Sequence, residues 1–509
     1  KRMFENFNMS LCVDDKFFES FFNNKNYDLH FNNKIYDSIN AKDLMEMITN
    51  NVYSTGDPGM IFYNTINKDN LLLPVFGYWV SSTNPCGEQI LYPNDSCNLG
   101  SINLAKFVTK DGKFDAIEFM NVCNFCTQFL DGVIDANKYP IPKINEVTKK
   151  CRRIGLGFMG LADLFNQLGI QYNSEIGFTL AEYISAIMTG QALKTSSFIA
   201  GFKGSFPYYN DERYKENREK LPLLATKENF ESLKERIDLI KSYLSKNSVT
   251  EIDELYSSIP ISDFGLRNCN VTTIAPTGTL SMFVDCSSGI EPTYSHGYKK
   301  SVTVGDFYYV NKYLEDRLKD LGLYSKDILE EIIVKNNGTI SNIDVIPQEV
   351  KDIFVTAMDI HPFDHLAIQG LCQRWISNSI SKTINAPNNI SQKQIEHCYI
   401  LSYKFGCRGT TIYRDGSKHT QVLNNNSFNS HRNLKVSDFT LRWIEDLDVP
   451  QLYKEEIINY IGSHNQQQET SNIKEINCSK CNSSNSIISN GSTCSICKSC
   501  GELIGCNSI

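Results

Sequence analysis

The segment Thr83-Asn84-Pro85-Cys86-Gly87-Glu88 places a thiol two residues from both a carboxamide and a carboxylate. Its proline and glycine oppose a helix and favour a tight loop, in which the three side chains can converge on one small ligand. A second thiol follows eleven residues on, at Cys97 in Ser96-Cys97-Asn98-Leu99-Gly100-Ser101. Taken alone, a cysteine in such a setting also fits a small buried apolar residue, so the rest of the chain has to decide between the two.

Two further clusters can do chemistry. Cys269-Asn270-Val271-Thr272-Thr273-Ile274 is a β-branched run expected to form a strand, and it feeds into Ala275-Pro276-Thr277-Gly278-Thr279, a turn rich in hydroxyls and amides. Such a turn can cradle an anion, and a helix opening at about Leu280 would add its first amides. An ordinary strand-ending turn has the same composition. No Lys or Arg stands in the loop, so affinity would rest on amides and hydroxyls. In the tail, Cys478-x2-Cys481, fifteen residues, then Cys497-x2-Cys500 has the spacing of a zinc ribbon, two knuckles delivering four thiolates to one metal. So apolar-poor a segment would draw its fold from the metal, a contribution on the order of 10 kcal/mol.

Read further, Asn84 to Leu104 closely resembles the active-site finger loop of ribonucleotide reductases. The resemblance recurs in order at Arg152-Arg153-Ile154-Gly155-Leu156-Gly157-Phe158-Met159-Gly160, at Ala275-Pro276-Thr277-Gly278-Thr279-Leu280-Ser281, at Ser287-Ser288-Gly289-Ile290-Glu291-Pro292 and at Ser381-Lys382-Thr383-Ile384-Asn385. Five ordered matches are far more specific than one. The resemblance implies an α/β fold, a ten-stranded barrel with a central finger loop, here only in part. It implies that Cys86, as a thiyl radical, abstracts the 3' hydrogen of a ribonucleotide, that Glu88 is general base on the 3' hydroxyl and that Asn84 holds the substrate hydroxyls. The turn from Ala275 to Thr279 would take the substrate's di- or triphosphate. Cys97 matches one member of the family's redox pair. Its other member lies well upstream in the family, and Cys12 does not match that context, so an N-terminal half, as a separate chain or a lost segment, is expected to complete the barrel.

In the family a mobile C-terminal dithiol re-reduces the active site and is itself reduced by thioredoxin-like proteins. Cys494 and Cys506 are the candidates here. Cys494-x2-Cys497 could instead form the second zinc knuckle and leave Cys500 with Cys506 as the dithiol. Members that borrow their radical from an iron or manganese subunit carry two adjacent tyrosines near the end of the barrel. The matching run here, Gly409-Thr410-Thr411-Ile412-Tyr413-Arg414, has one. That is similar to the adenosylcobalamin-dependent class, as is His361-Pro362-Phe363-Asp364-His365-Leu366-Ala367-Ile368-Gln369. Neither histidine reads as a cobalt ligand; each fits a surface or helix-start residue. The large subunit of the di-metal class remains the alternative among enzymes, and a non-catalytic zinc- or nucleotide-binding fragment is the alternative of another kind.

The elements that must position these residues are partly legible. Leu180, Tyr183, Ile184, Ile187 and Met188 mark one face of a helix turned to the core. A helix opens at Ser391, with Gln394 at capping-box spacing, stops at Gly406, and precedes a strand over Gly409 to Tyr413, an α/β alternation. Cys123 and Cys126 share one face of another helix and fit core packing. Residues 1–435 are expected as the catalytic portion, 436–477 as a short helical segment with a polar tether from 463, and 478–509 as the cysteine-rich tail.

Composition limits the rest. Fifty basic against 58 acidic residues give a net charge of -8, and from Cys478 onward only Lys480, Lys498 and Glu502 carry charge, which argues against nucleic acid as the partner. No run approaches the roughly 18 apolar residues of a membrane span. The opening Lys1-Arg2-Met3-Phe4-Glu5-Asn6 lacks a signal-peptide core, and the scattered thiols are no secreted disulfide framework, so a cytoplasmic chain is expected, with a homodimer left open.

Overall fold

Parallel strands need long crossovers, usually helical, and the alternation read from the sequence is realised in that way. The structure is a computed structural model that describes residues 7, 9–32, 34–68, 70, 72–215, 226–246, 250–302, 305–417, 434–469 and the short segments 487–489, 495–497 and 503–504. It divides into two compact units, Lys1–Pro450 and Gln451–Ile509.

The first unit is organised by strands β1 (Ser10–Val13), β2 (Gly59–Phe62), β3 (Asn98–Asn103), β4 (Ile154–Met159), β5 (Thr383–Ala386) and β6 (Gly409–Arg414). β3 runs parallel to β4, with Asn98 opposite Ile154. β6 runs parallel to β5 and antiparallel to β2, and β2 is parallel to β1. The expected strand at 269–274 is an extended run that pairs by single bridges, Leu156 with Thr272 and Ile274 with Ile380, both parallel. It joins the two groups. The order among the described residues is therefore β3, β4, the 271–274 run, the segment leading into β5, β6, β2 and β1, with the chain direction reversing between β6 and β2.

β4 is buried at every residue, Ile-Gly-Leu-Gly-Phe-Met, as expected of a parallel strand covered on both faces. Its glycines let neighbours close in. A Cβ on Gly157 would collide with the Thr273 carbonyl, and Gly155 is crowded by Leu99, Thr273 and Gln89.

Helices α1 (Ala116–Ala136), α2 (Glu175–Lys203), α3 (Gly278–Phe283), α4 (Pro362–Gln373), α5 (Gln392–Lys404) and α6 (Asp438–Asp446) pack around these strands. Ser174 caps α2 by accepting the Gly177 N–H, and the predicted stripe from Leu180 to Met188 is buried. Between Gly177 and Gly190 its other faces are buried too, and Glu182 is enclosed there with Arg236, Arg374 and the Trp375 indole N–H engaging it. The Ser391 capping box of α5 is present. His361 Nδ1 accepts the Phe363 N–H at the start of α4, and His365 Nε2 lies 3.0 Å from the Ala357 carbonyl; both are helix-start or core residues. Cys123 is buried in the core side of α1 and Cys126 is partly exposed. The Ser437 hydroxyl donates to Asp364 Oδ1 (2.7 Å), so the first unit takes in α6, beyond the expected boundary at 435.

The second unit holds helix α7 (Gln451–Glu469), which includes the start of the stretch expected as a tether, and three short antiparallel strands, Ile487–Ser489, Ser495–Cys497 and Leu503–Ile504. Cys478, Cys481, Cys494, Cys500 and Cys506 lie outside the described residues, as does the side chain of Cys497. No helix among the described residues is long and apolar enough to cross a membrane.

Candidate active site

The segment 83–90 is a tight hairpin, with Thr83 paired to Ile90. The Asn84 carbonyl accepts the Gly87 N–H at 3.1 Å, closing a turn with Pro85 and Cys86 at its centre. Gly87 follows at φ 79°, a left-handed conformation that a side chain would strain. Local chemistry thus sets Cys86 at the tip, exposed.

The two flanks meet each other. Asn84 Nδ2 donates to Glu88 Oε1 at 2.7 Å, while its Oδ1 accepts the Gln89 N–H at 3.0 Å. Glu88 is buried, and its second oxygen, Oε2, has no partner in the protein. A buried carboxylate oxygen left open is costly unless a ligand completes it. Burial and the Glu88 carboxylate both push the Cys86 thiol up, which keeps it protonated at neutral pH.

Distant residues hold this hairpin against the sheet. The Glu88 carbonyl accepts the Ser379 N–H at 3.1 Å, and the Thr273 hydroxyl lies 2.7 Å from the same carbonyl. Asn378 Oδ1 accepts the Ile90 N–H (2.9 Å) and its Nδ2 donates to Gln89 Oε1 (2.7 Å). Gln89 Nε2 is buried without a partner, facing Gly155. Sequence reading missed Gln89, Asn378 and Thr273. Gln89 adjoins Glu88 and could have been named with it; Asn378, some 290 residues away, offers no local signal.

Thr273 also leads, two residues on, into the turn from Ala275 to Thr279. One extended run therefore carries both a hairpin anchor and the turn from Ala275 to Thr279, spanning at most about 13 Å from Thr273 to Thr277. Thr277 sits at φ 53°, and its hydroxyl accepts the Gly289 N–H at 2.7 Å. The helix begins at Gly278, earlier than expected, and is only six residues long. Gly278 and Thr279 are exposed, with Pro276 and Thr277 half-buried. Behind the turn, Lys382 pairs with Glu291, whose other oxygen accepts the Thr383 N–H (2.7 Å). That ion pair locks together two of the recognised motifs.

Cys97 is half-buried immediately before β3, its thiol pushed up by burial and opposed by the Arg153 guanidinium. Tyr413 is followed by Arg414, whose Nε donates to the Tyr53 carbonyl at 2.7 Å and whose guanidinium stacks on the Tyr53 ring. Tyr413 is thus followed by a cation fixed in the fold. Among the described residues no group of His, Cys, Asp or Glu could hold a metal ion.

An α/β sheet with a direction reversal, against which a hairpin holds an exposed cysteine beside an amide-held carboxylate, defines an α/β enzyme fold with a thiol at its site. The chain belongs to the family described as ribonucleotide reductase, barrel domain, which matches residues 1–413. It is 36% identical over 426 residues to the vitamin B12-dependent ribonucleoside-diphosphate reductase of Thermoplasma acidophilum, covering 83% of this chain and 49% of that protein. A protein of the same description from Mycobacterium tuberculosis (strain CDC 1551 / Oshkosh) is 32% identical over 384 residues, covering 75% of this chain and 48% of the relative. The chain spans about half the length of the curated relatives it matches. The solved Actinobacillus ureae class Id ribonucleotide reductase alpha subunit shares the fold, with TM-score 0.58 at 18% identity over 80% of this chain and 65% of that one.

Proposed function

We propose that this chain is the catalytic portion of an adenosylcobalamin-dependent ribonucleotide reductase, making 2'-deoxyribonucleotides for DNA synthesis. The observation that carries the reading is the hairpin itself: an exposed Cys86 beside a buried Glu88 with one oxygen held by Asn84 and the other open. A thiol, not a thiolate, is the form that can give up a hydrogen atom and take it back. Glu88 Oε2 is placed to accept the proton of a substrate hydroxyl, and Asn84 to orient that hydroxyl. The family membership and the names of the similar proteins support the same chemistry.

Adenosylcobalamin, when bound, supplies a deoxyadenosyl radical. The protein's residues fit such direct delivery, since Cys86 is exposed and Arg414 stands where a relay tyrosine would be. Neither His361 nor His365 is offered as a ligand: both are buried at the start of α4, with His361 Nδ1 accepting the Phe363 N–H and His365 Nε2 set against the Ala357 carbonyl. Reduction breaks the C2'–O bond; the oxygen leaves as water, and two thiols give two electrons and two protons as they join in a disulfide. Cys97 is one of those thiols, with Cys494 and Cys506 as the shuttle dithiol and a thioredoxin-like protein as reductant. The turn from Ala275 to Thr279 takes the di- or triphosphate. Cys478, Cys481, Cys497 and Cys500 hold a structural zinc.

The ten-stranded barrel would be completed by an N-terminal half. Edge strands β1 and β3 support this, with Leu11 and Leu99 exposed on them. The setting is the cytoplasm. The test is to mix the chain with adenosylcobalamin, CDP or CTP, a dithiol and a reductase N-terminal half, and to measure deoxynucleotide formation. Cobalamin-dependent product that vanishes in Cys86→Ser is expected. No product with every component supplied would overturn the reading in favour of a nucleotide- or zinc-binding fragment.

A further inference from the structure

The recognised motif at Arg152-Arg153 puts a guanidinium beside Cys97. Cys97 and Arg153 each immediately precede the first paired residues of two parallel strands, Asn98 opposite Ile154. In-register neighbours in a parallel pair leave the sheet on the same face. On the other side, the Ile154 N–H bonds the Asn270 carbonyl (3.2 Å), so Cys269 flanks Arg153 in turn. The row reads Cys97, Arg153, Cys269.

Arg153 is not a surface charge. Its Nε donates to Asp95 Oδ2 at 2.8 Å, its NH1 reaches Asn270 Oδ1, and both members of the ion pair are almost fully enclosed. Asp95 also accepts the Ser96 N–H at 2.9 Å, which pins it one residue from the thiol's own backbone neighbour. The charged and titratable groups that act on Cys97 are Arg153, Asp95, Cys269 and Glu88. Arg153 is the single cation of that set. Cys269 is excluded as the disulfide partner of Cys97, because two strand spacings put their backbones roughly 10 Å apart, beyond the reach of an S–S bond.

We propose that the buried Arg153–Asp95 pair sets the charge state of Cys97, Arg153 steadying the negative sulfur and Asp95 limiting how far it does so. This rests on the redox role proposed above for Cys97. In exchange, a thiolate of the incoming dithiol attacks the disulfide that Cys97 shares with its partner thiol. A new S–S bond forms to the partner sulfur, the bond to Cys97 breaks, and its electron pair stays on the Cys97 sulfur, which then takes up a proton. A poor leaving thiolate slows that step, and a fixed cation nearby improves it. Arg153 is a positioning residue here, acting through Cys97.

The test reads charge and not turnover. On the intact chain, the rate of Cys97 alkylation by iodoacetamide is followed against pH with peptide-resolved mass spectrometry. Asp95→Asn leaves Arg153 less neutralised, and the expected result is about tenfold faster labelling of Cys97 near neutral pH, the equivalent of one pKa unit. Arg153→Gln is expected to slow it about tenfold, with Arg153→Lys close to the parent chain. Since Arg153→Gln strands a buried Asp95, the double variant Asp95→Asn/Arg153→Gln is measured as well and should label more slowly than Asp95→Asn alone. Folding damage would expose and accelerate the buried Cys123 and Cys398 together with Cys97, whereas neither of those two is acted on by Arg153 or Asp95 and the charge effect leaves them unmoved. A Cys97 profile unmoved or slowed by Asp95→Asn overturns the proposal. The redox reading fails separately, if Cys97→Ser sustains dithiol-driven deoxynucleotide formation in the reconstituted assay.

Discussion

Gly155→Ala should leave a folded chain with badly impaired chemistry. The glycine sits in β4 opposite Leu99, at an ordinary φ, so the backbone accepts alanine. Space does not: the added Cβ would lie 2.6 Å from Leu99 Cδ2, 2.8 Å from Thr273 Cγ2 and 2.9 Å from Gln89 Nε2. Each neighbour must retreat by at least about half an ångström to reach ordinary contact, and overpacking of this kind costs about 1–3 kcal/mol. Two of the three atoms belong to residues that anchor the finger hairpin, so the displacement passes to Glu88 and Cys86. Misplacing reacting groups by about 1 Å costs on the order of 100-fold in rate. Gly132→Ala is the matched control, a helix-interior glycine in α1 whose Cβ would meet nothing within 4 Å. It should stabilise by up to about 1 kcal/mol and leave the rate alone. Urea unfolding gives the stability term, and deoxynucleotide formation in the reconstituted assay gives the rate. A folded Gly155→Ala chain that keeps the parent rate would refute the claim that Gly155 sets the position of the hairpin.

Glu88→Gln keeps an oxygen for the Asn84 amide but loses the base, and deoxynucleotide formation should fall by about 10²–10⁴ with urea stability retained; chromatography of the products checks it. Burial lowers His296 from 6.5 to about 4, with its Nε2 2.8 Å from the Phe354 carbonyl and Nδ1 unpartnered. A histidine depressed in the folded state stabilises fully above its unfolded value, and that contribution is lost as pH falls from about 6.5 toward 4, roughly 3 kcal/mol for this group. Urea midpoints should therefore drop over that window, and less steeply in His296→Gln. The tail should carry one zinc per chain by elemental analysis, and Cys481→Ser should abolish it.

What the sequence alone determines here is local, because it depends on chemistry within a few residues. Pro85 and Gly87 suffice to make a turn, and the turn puts Cys86 at a tip with Asn84 and Glu88 on its flanks. Ser391 and Gln394 suffice to start a helix, and the apolar spacing from Leu180 to Met188 suffices to aim one at the core. The ordered motifs carried the family. Tertiary structure decided where that chemistry is mounted. Ser379, Thr273 and Asn378 grip the hairpin from across the chain, and nothing near Cys86 encodes them, since a hydrogen bond between residues 289 positions apart leaves no trace in local spacing. The same holds for strand order, for the extended run at 271–274 that bridges two groups of strands without being a regular strand, and for Arg153 beside Cys97. Sequence chooses each element through short-range sterics and capping; only the packed sheet brings residues of different elements within reach of one another, and that is where the thiols meet the charged groups that act on them.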